Sequence, residues 1–193
     1  MRRILAFVAV AVFALPLAAQ DFKIDPNHSS ANFAVKHLLV STVRGRFAGG
    51  VNGTIHLDPA DIAKSSVTAV IPVATINTDN ESRDKDLRSA RFFDADKYPE
   101  LKFQSTKIEK RGDGYVAVGN LTMKDVTKQI ELPFTLTQAE VKGKKKIGVE
   151  ASTTLNRLDY NVTYDPTGTT VSKDVKIDLD LEANQVDSAP ATK

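Results

Sequence analysis

Val43-Arg44-Gly45-Arg46-Phe47-Ala48-Gly49-Gly50-Val51-Asn52-Gly53-Thr54-Ile55-His56-Leu57 alternates apolar or small residues with polar ones along most of its length. Val43, Gly45 and Phe47 share one face of an extended chain, and after Gly49-Gly50 the pattern resumes with Val51, Gly53, Ile55 and Leu57. A period of two marks a strand with one face in a core and the other in water. The paired glycines read as a bend or bulge within one long strand, as a curved sheet needs.

The same alternation flanks this stretch on both sides. Ala31, Phe33 and Val35 share a face before it, Val67–Ile76 follows with apolar residues on both faces, and Leu101 with Phe103 resumes the period. Tyr115–Leu121, Ile130–Leu136, Ile147–Leu155 and Val171–Leu181 continue it, linked by short turns such as Arg111-Gly112-Asp113-Gly114. About eight strands result, enough to close a barrel that removes both sheet edges and has room for one small ligand. The fold class is therefore all-β, antiparallel and eight-stranded, with one short helix and a long helical or loop insertion between strands. Asp79–Ala90 reads as that helix, since Thr78-Asp79-Asn80-Glu81 has capping-box spacing and Asp84 with Arg88 is an i,i+4 pair. Its apolar face is thin, mainly Leu87 and Ala90, which suits a segment lying over the barrel.

Residues 1–19 read as a secretory signal: Arg2-Arg3, an apolar run over Ile4–Leu17, and the small pair Ala18-Ala19. Its removal takes two arginines from a chain of 26 basic and 24 acidic residues and leaves the mature form neutral, so nucleic acid is set aside as a partner. Periplasmic localisation follows, with no membrane span after cleavage. Residues 20–184 form one domain and Gln185–Lys193, small and polar, a frayed tail. The basic run Lys142-Gly143-Lys144-Lys145-Lys146 reads as a solvated hairpin tip. The chain holds no cysteine, which excludes disulfides and thiolate chemistry.

The residues offer a container more readily than a reaction. His28, His37 and His56 show no metal-ligand spacing, and His28 reads as a hydrogen-bonded structural histidine. Glu81, Asp84, Asp86, Asp94, Asp96 and Glu100 supply carboxylates, but their spacing selects no catalytic pair. No nucleophile elbow or phosphate-binding glycine loop occurs. Large apolar residues alternate with small ones, which fits a lumen and equally fits a barrel packed solid. A small outer-membrane barrel is disfavoured, since the chain has no Trp, four Tyr and polar residues opposite each apolar stripe.

An ordered set of motifs resembles the YceI-like family of exported lipid-binding proteins. The set comprises Asp25-Pro26-Asn27-His28-Ser29, Val43-Arg44-Gly45-Arg46-Phe47, Thr78 with Arg83-Asp84-Lys85-Asp86-Leu87-Arg88-Ser89, Phe92-Phe93-Asp94, Tyr98-Pro99, Phe103-Gln104-Ser105-Thr106, Gly119-Asn120-Leu121-Thr122 and Asn156-Arg157-Leu158-Asp159. The resemblance runs from about Phe22 to Ala183. It implies a lipocalin-like barrel whose apolar tunnel takes a polyisoprenoid or another long-chain, fatty-acyl-type lipid, with no enzymatic activity and no cofactor. It also brings Arg83, Asp84 and Arg88 near the helix-covered part of the barrel, either as an ion-pair network or as contacts to a polar lipid head. The chain departs from the family at Asp125, where a turn glycine is usual, and at Tyr160-Asn161, where Phe-Gly is usual.

Phe33, Val35, Phe47, Ile55, Phe103, Leu121 and Phe134 are then the expected tunnel lining, with Leu87 and Phe93 closing one side and Arg83 and Asp84 beside them. No catalytic or metal residue is expected. A homodimer is admitted. Two rivals remain, a periplasmic hydrolase built on His28 and the acidic helix, and a ligand-free structural or interaction barrel.

Overall fold

A computed structural model describes residues 19–186. The proposed signal segment up to Leu17-Ala18 and the tail beyond Val186 therefore lie outside the described residues. Among the described residues the strands are β1 (Gln20–Ile24), β2 (Ser30–His37), β3 (Ser41–Phe47), β4 (Asn52–Leu57), β5 (Ser66–Pro72), β6 (Ile76–Asn77), β7 (Glu100–Arg111), β8 (Gly114–Met123), β9 (Val126–Val141), β10 (Lys144–Asn156) and β11 (Val171–Gln185), and the one α-helix is α1 (Glu81–Arg88).

All pairings are antiparallel, and β1-β4-β5-β7-β8-β9-β10-β11 closes on itself through β1–β11, an eight-stranded barrel. Eleven segments fill eight positions because three positions are shared. β11 pairs with β1 through Ala183–Gln185 and with β2 through Val171–Asp180. Next to them β4 pairs with β1, and β3 with β2. Beyond those, β5 pairs with β4, and β6 with β3.

This arrangement corrects the expectation of one long strand over Val43–Leu57. The chain turns at Phe47–Gly50, with Gly50 N–H donating to the Phe47 carbonyl at 3.1 Å, and crosses from one half of the barrel wall to the other. Gly50 has φ +67°, and a Cβ there would come within 2.2 Å of the Pro26 carbonyl oxygen, so only glycine fits the crossing. Val67–Ile76 breaks in the same way. Pro72 ends β5, a 3-10 turn spans Val73–Thr75, and β6 resumes beside β3. β1 lies before the first strand expected from the sequence, and Gln185, expected to open the tail, still pairs with Phe22.

The insertion between strands occupies Thr78–Pro99. Among the described pairings β6 bonds only to β3, and α1 packs beside it, so the insertion covers the edge that β6 leaves. The helix is shorter than Asp79–Ala90, and its cap is Asn80, whose side chain accepts from Arg83 N–H at 3.0 Å, in place of Thr78. Ala90 is exposed. The buried member of the helix is the carboxylate Asp84, and it bonds to Thr78 in place of the expected partner Arg88, which donates to the Ile76 carbonyl.

Inward residues of both wall halves form one core. Phe22, Ile24, Val51, Ile76, Ile147 and Ala183 are almost fully buried, and the outward positions of the long strands carry Lys102, Gln104, Glu131, Thr135 and Ser152. β9 changes partner midway, pairing with β8 up to Phe134 and with β10 from Phe134 onward. Pro133, which has no N–H to donate, stands at that change. The basic run does sit at a hairpin tip, with Lys142 and Gly143 at positive φ between β9 and β10.

Phe22 joins β1 to the core at the closing seam. Phe22→Ala is expected to lower the unfolding free energy by about 3–5 kcal/mol, whereas Val35→Ala, half-buried and outside the core cluster, should cost only about 1 kcal/mol. Urea unfolding of the two variants checks this; equal losses would remove β1 from its structural role.

Candidate functional site

The barrel is not packed solid. Its interior holds a cavity of about 160 Å³ bordered by residues from β2 to β5 and from β7 to β11. Phe47, Ile55, Phe103, Leu121 and Phe134 of the expected set border it. The facing wall comes from residues the sequence reading did not single out, including Ile130, Leu132 and Leu136 on β9 and Ile177, Leu179 and Leu181 on β11. Their signal was available, for they share the period-two face of Phe134 or form the apolar face of the last strand. Among the described residues no carboxylate borders the space, and the one charged residue on its margin, Lys102, is exposed and paired with Glu100 at 2.9 Å. A cavity of this size with an apolar wall stays dry and favours an apolar occupant.

Two glycines shape the wall by their lack of a side chain. A Cβ on Gly119 would come within 2.5 Å of the Phe103 ring, and one on Gly45 within 2.4 Å of the Phe33 ring. Each ring thus lies directly over bare strand backbone.

The remaining expected residues take other places. Phe33 does not border the cavity; it packs on Phe47 at 6.0 Å between centroids, and Phe47 meets Phe93 edge-on at 6.1 Å. Phe93 and Leu87 pack against the core cluster and do not border the cavity. Val35 neither borders the cavity nor joins the core cluster, which corrects its assignment as lining. On β2 the cavity ends at Ala31 and Asn32, and Val35 lies further toward the hairpin tip, between Val43 and Val175.

Arg83 and Asp84 do come together, around Thr78. The buried Asp84 carboxylate accepts from both the amide and the hydroxyl of Thr78, while Arg83 donates through Nε to the same hydroxyl at 2.7 Å and through Nη2 to the Thr78 carbonyl at 2.8 Å. These bonds fix the entry into α1 and satisfy the buried polar groups. These side-chain bonds of Arg83 and Asp84 all run to Thr78 of the chain itself, which supports the structural reading of the pair.

A second polar clamp holds the segment between β10 and β11. Arg157 is buried and donates to the carbonyl oxygens of Ser172, Val162, Asp165 and Val171, at 2.7–2.9 Å. Burial lowers its pKa from the ordinary guanidinium value, and the carbonyl dipoles receive the charge. Asn161 takes positive φ as its residue type allows, and the Tyr160 ring beside it is buried. In the β8–β9 turn, by contrast, it is Lys124 that takes positive φ, while Asp125 accepts from the Asn161 amide at 3.1 Å. The Asp165 carboxyl is held well below the usual carboxylate range, chiefly by the Thr167 hydroxyl and then by the Val171 amide.

His28 does not meet the acids of α1. Its Nδ1 bonds to Asp25 at 2.9 Å, and Asp25, His28 and Glu182 are the one grouping among the described residues that could hold a metal. Glu182 is already paired with Lys146, and the Asp25 hydrogen bond raises the His28 pKa. This fits a structural histidine.

Comparison with known proteins agrees with the barrel and its motifs. The family model described as the YceI-like domain matches residues 22–183. A UPF0312 protein of Yersinia pestis is 35% identical over 172 residues, covering 87% of this chain and 88% of that protein. The crystal structure of a YceI protein from Campylobacter jejuni superposes with TM-score 0.71 at 33% identity, covering 79% of this chain and 90% of that one. A polyisoprenoid binding domain from Saccharophagus degradans shares the fold at TM-score 0.64 and 16% identity, over 86% of this chain and 98% of that one.

The depressed Asp165 pKa fixes a pH dependence. A carboxyl whose folded pKa lies below its unfolded value of about 3.9 adds stability at neutral pH and loses it as pH falls through the folded value. Asp165→Asn is therefore expected to be less stable than the parent at about pH 6 and to lose less on acidification to about pH 2, as read from urea midpoints across that range. An unchanged acid slope would rule out Asp165 as a contributor.

Proposed function

This chain belongs to the YceI-like family, and from its dry lumen we propose that it sequesters or carries one long apolar chain, a polyisoprenoid or a fatty-acyl-type lipid, in the periplasm. The observation that carries the reading is the wall: apolar side chains from most of the barrel strands face one cavity, and no carboxylate among the described residues borders it. Each methylene moved from water into such a wall contributes roughly 0.8 kcal/mol, so chain length sets affinity and no catalytic residue is needed. A polar head has no partner inside and stays at a mouth of the barrel.

Support for export comes from Arg2-Arg3, the apolar run and Ala18-Ala19. A barrel of this fold that binds a polyisoprenoid, the Saccharophagus degradans domain, supports the choice of cargo class. Catalysis forms no part of the proposal.

Native mass spectrometry of the protein exported under its own leader and purified without detergent tests the proposal. The expected result is a discrete added mass that organic solvent extracts as a prenyl or acyl chain. Ala151→Phe places a ring at a buried position that borders the lumen, at a stability cost of about 1–3 kcal/mol, and should abolish that mass while leaving a cooperative unfolding transition. A bare mass after incubation with quinones and fatty acids, or a lipid load that survives Ala151→Phe in a folded protein, would refute the lumen as the binding site.

A further inference from the structure

The hairpin between β2 and β3 turns through Leu38, Leu39 and Val40, which are 57%, 71% and 85% exposed and are the most exposed large apolar side chains among the described residues. Solvent disfavours three consecutive apolar residues at a tip. The backbone disfavours them too. Leu38 and Leu39 have φ +51° and +59°, left-handed values that a hairpin normally meets with Asn-Gly, and the Val40 amide closes the turn on the His37 carbonyl at 3.1 Å. A local sequence that opposes both solvent and backbone marks a functional element.

The tip is backed by positive charge. Lys36 and Arg44 are exposed and lie on the outer face of the hairpin, set by the registers Lys36–Thr42 and Ala34–Arg44, and neither has an ion-pair partner among the described residues. On the same outer face Arg46 and Lys176 are neutralised by Asp79 and Asp178, so the free charge sits toward the tip. The tip is also held firmly. Leu38 N–H donates to the Thr170 carbonyl at 2.9 Å, in the segment that Arg157 clamps, so the three side chains project from an anchored turn.

We propose that this hairpin is a membrane-docking wedge: Leu38, Leu39 and Val40 enter the acyl boundary of a leaflet while Lys36 and Arg44 meet its anionic headgroups. An apolar projection with a basic collar is the chemistry that an anionic lipid surface rewards, each part being weak alone. The wedge concerns a surface outside the lumen, so it stands or falls separately from the cargo.

Flotation with lipid vesicles tests it, using delipidated protein exported under its own leader. Vesicles are phosphatidylcholine alone or phosphatidylcholine with an equal part of phosphatidylglycerol. The protein should float with the anionic vesicles, and less so as salt rises. Leu38→Asn/Leu39→Gly supplies the residues the turn prefers; it should keep or raise the melting temperature and reduce flotation roughly tenfold. Lys36→Gln/Arg44→Gln should reduce it roughly threefold on anionic vesicles and flatten the salt dependence. The proposal is overturned if the parent does not float, or if the hairpin variant floats equally well. It is also overturned if that variant changes the sedimentation mass while the parent ignores vesicles, which would assign the tip to a second copy of the chain. Cargo mass measured on the hairpin variant should stay at the parent level, which separates failure of docking from failure of loading.

Discussion

The hydrogen-bonded seam along β11 is the constraint on which the barrel depends. One strand must offer its free edge to two partners in succession, β2 along its first part and β1 at its end. If either pairing fails, half of the wall has an open edge whose amides and carbonyls need partners. The two-tier filling of three wall positions follows from this demand. β1, β4 and β5 complete one tier, and β2, β3 and β6 the other. The second tier ends at β6, where the insertion carrying α1 takes over the covering task.

A barrel closed this way leaves its interior to be filled by side chains alone, and here they do not fill it. The glycines at positions 45 and 119 let aromatic rings sit flat on the wall, and the phenylalanines group at one side, Phe33 with Phe47 and Phe47 with Phe93. Polar groups are kept out of the lumen and used at its ends. Arg157 ties together the loop between β10 and β11, and Asp84 with Arg83 ties the start of α1 to Thr78. Apolar interior and polar fastening are therefore separate parts of one design, which ties the loops down without placing charge inside the container.

The strand character of nearly every segment was legible in the sequence because period-two alternation reports burial directly. Partnership was less legible. Alternation continues across Gly49-Gly50 on both sides, so nothing local shows that Phe47 and Val51 belong to different tiers; the reason lies in the Pro26 carbonyl, distant in sequence, against which Gly50 packs. β1 was missed because five residues are too few for a clear period, although Phe22 and Ile24 are among the most buried side chains. In the site, Phe47, Ile55, Phe103, Leu121 and Phe134 were found on the cavity border toward which their inward face points. Val35 was not, since a face shows direction but not how far along the barrel the cavity extends. The capping-box spacing at Thr78 misled for a related reason, as Thr78 serves Asp84 and Arg83 while Asn80 caps the helix.

Ring closure by the first and last strands sets the order of events during synthesis. The β1–β4 and β2–β3 pairs can form early, but both tiers wait for β11, whose partners lie more than a hundred residues upstream. Until that strand leaves the ribosome the wall cannot shut, and the nascent chain has no barrel to present. Such long-range contacts slow folding relative to local ones. The barrel is thus a structure that only the complete set of wall strands can close, and its lumen comes into being in that last step.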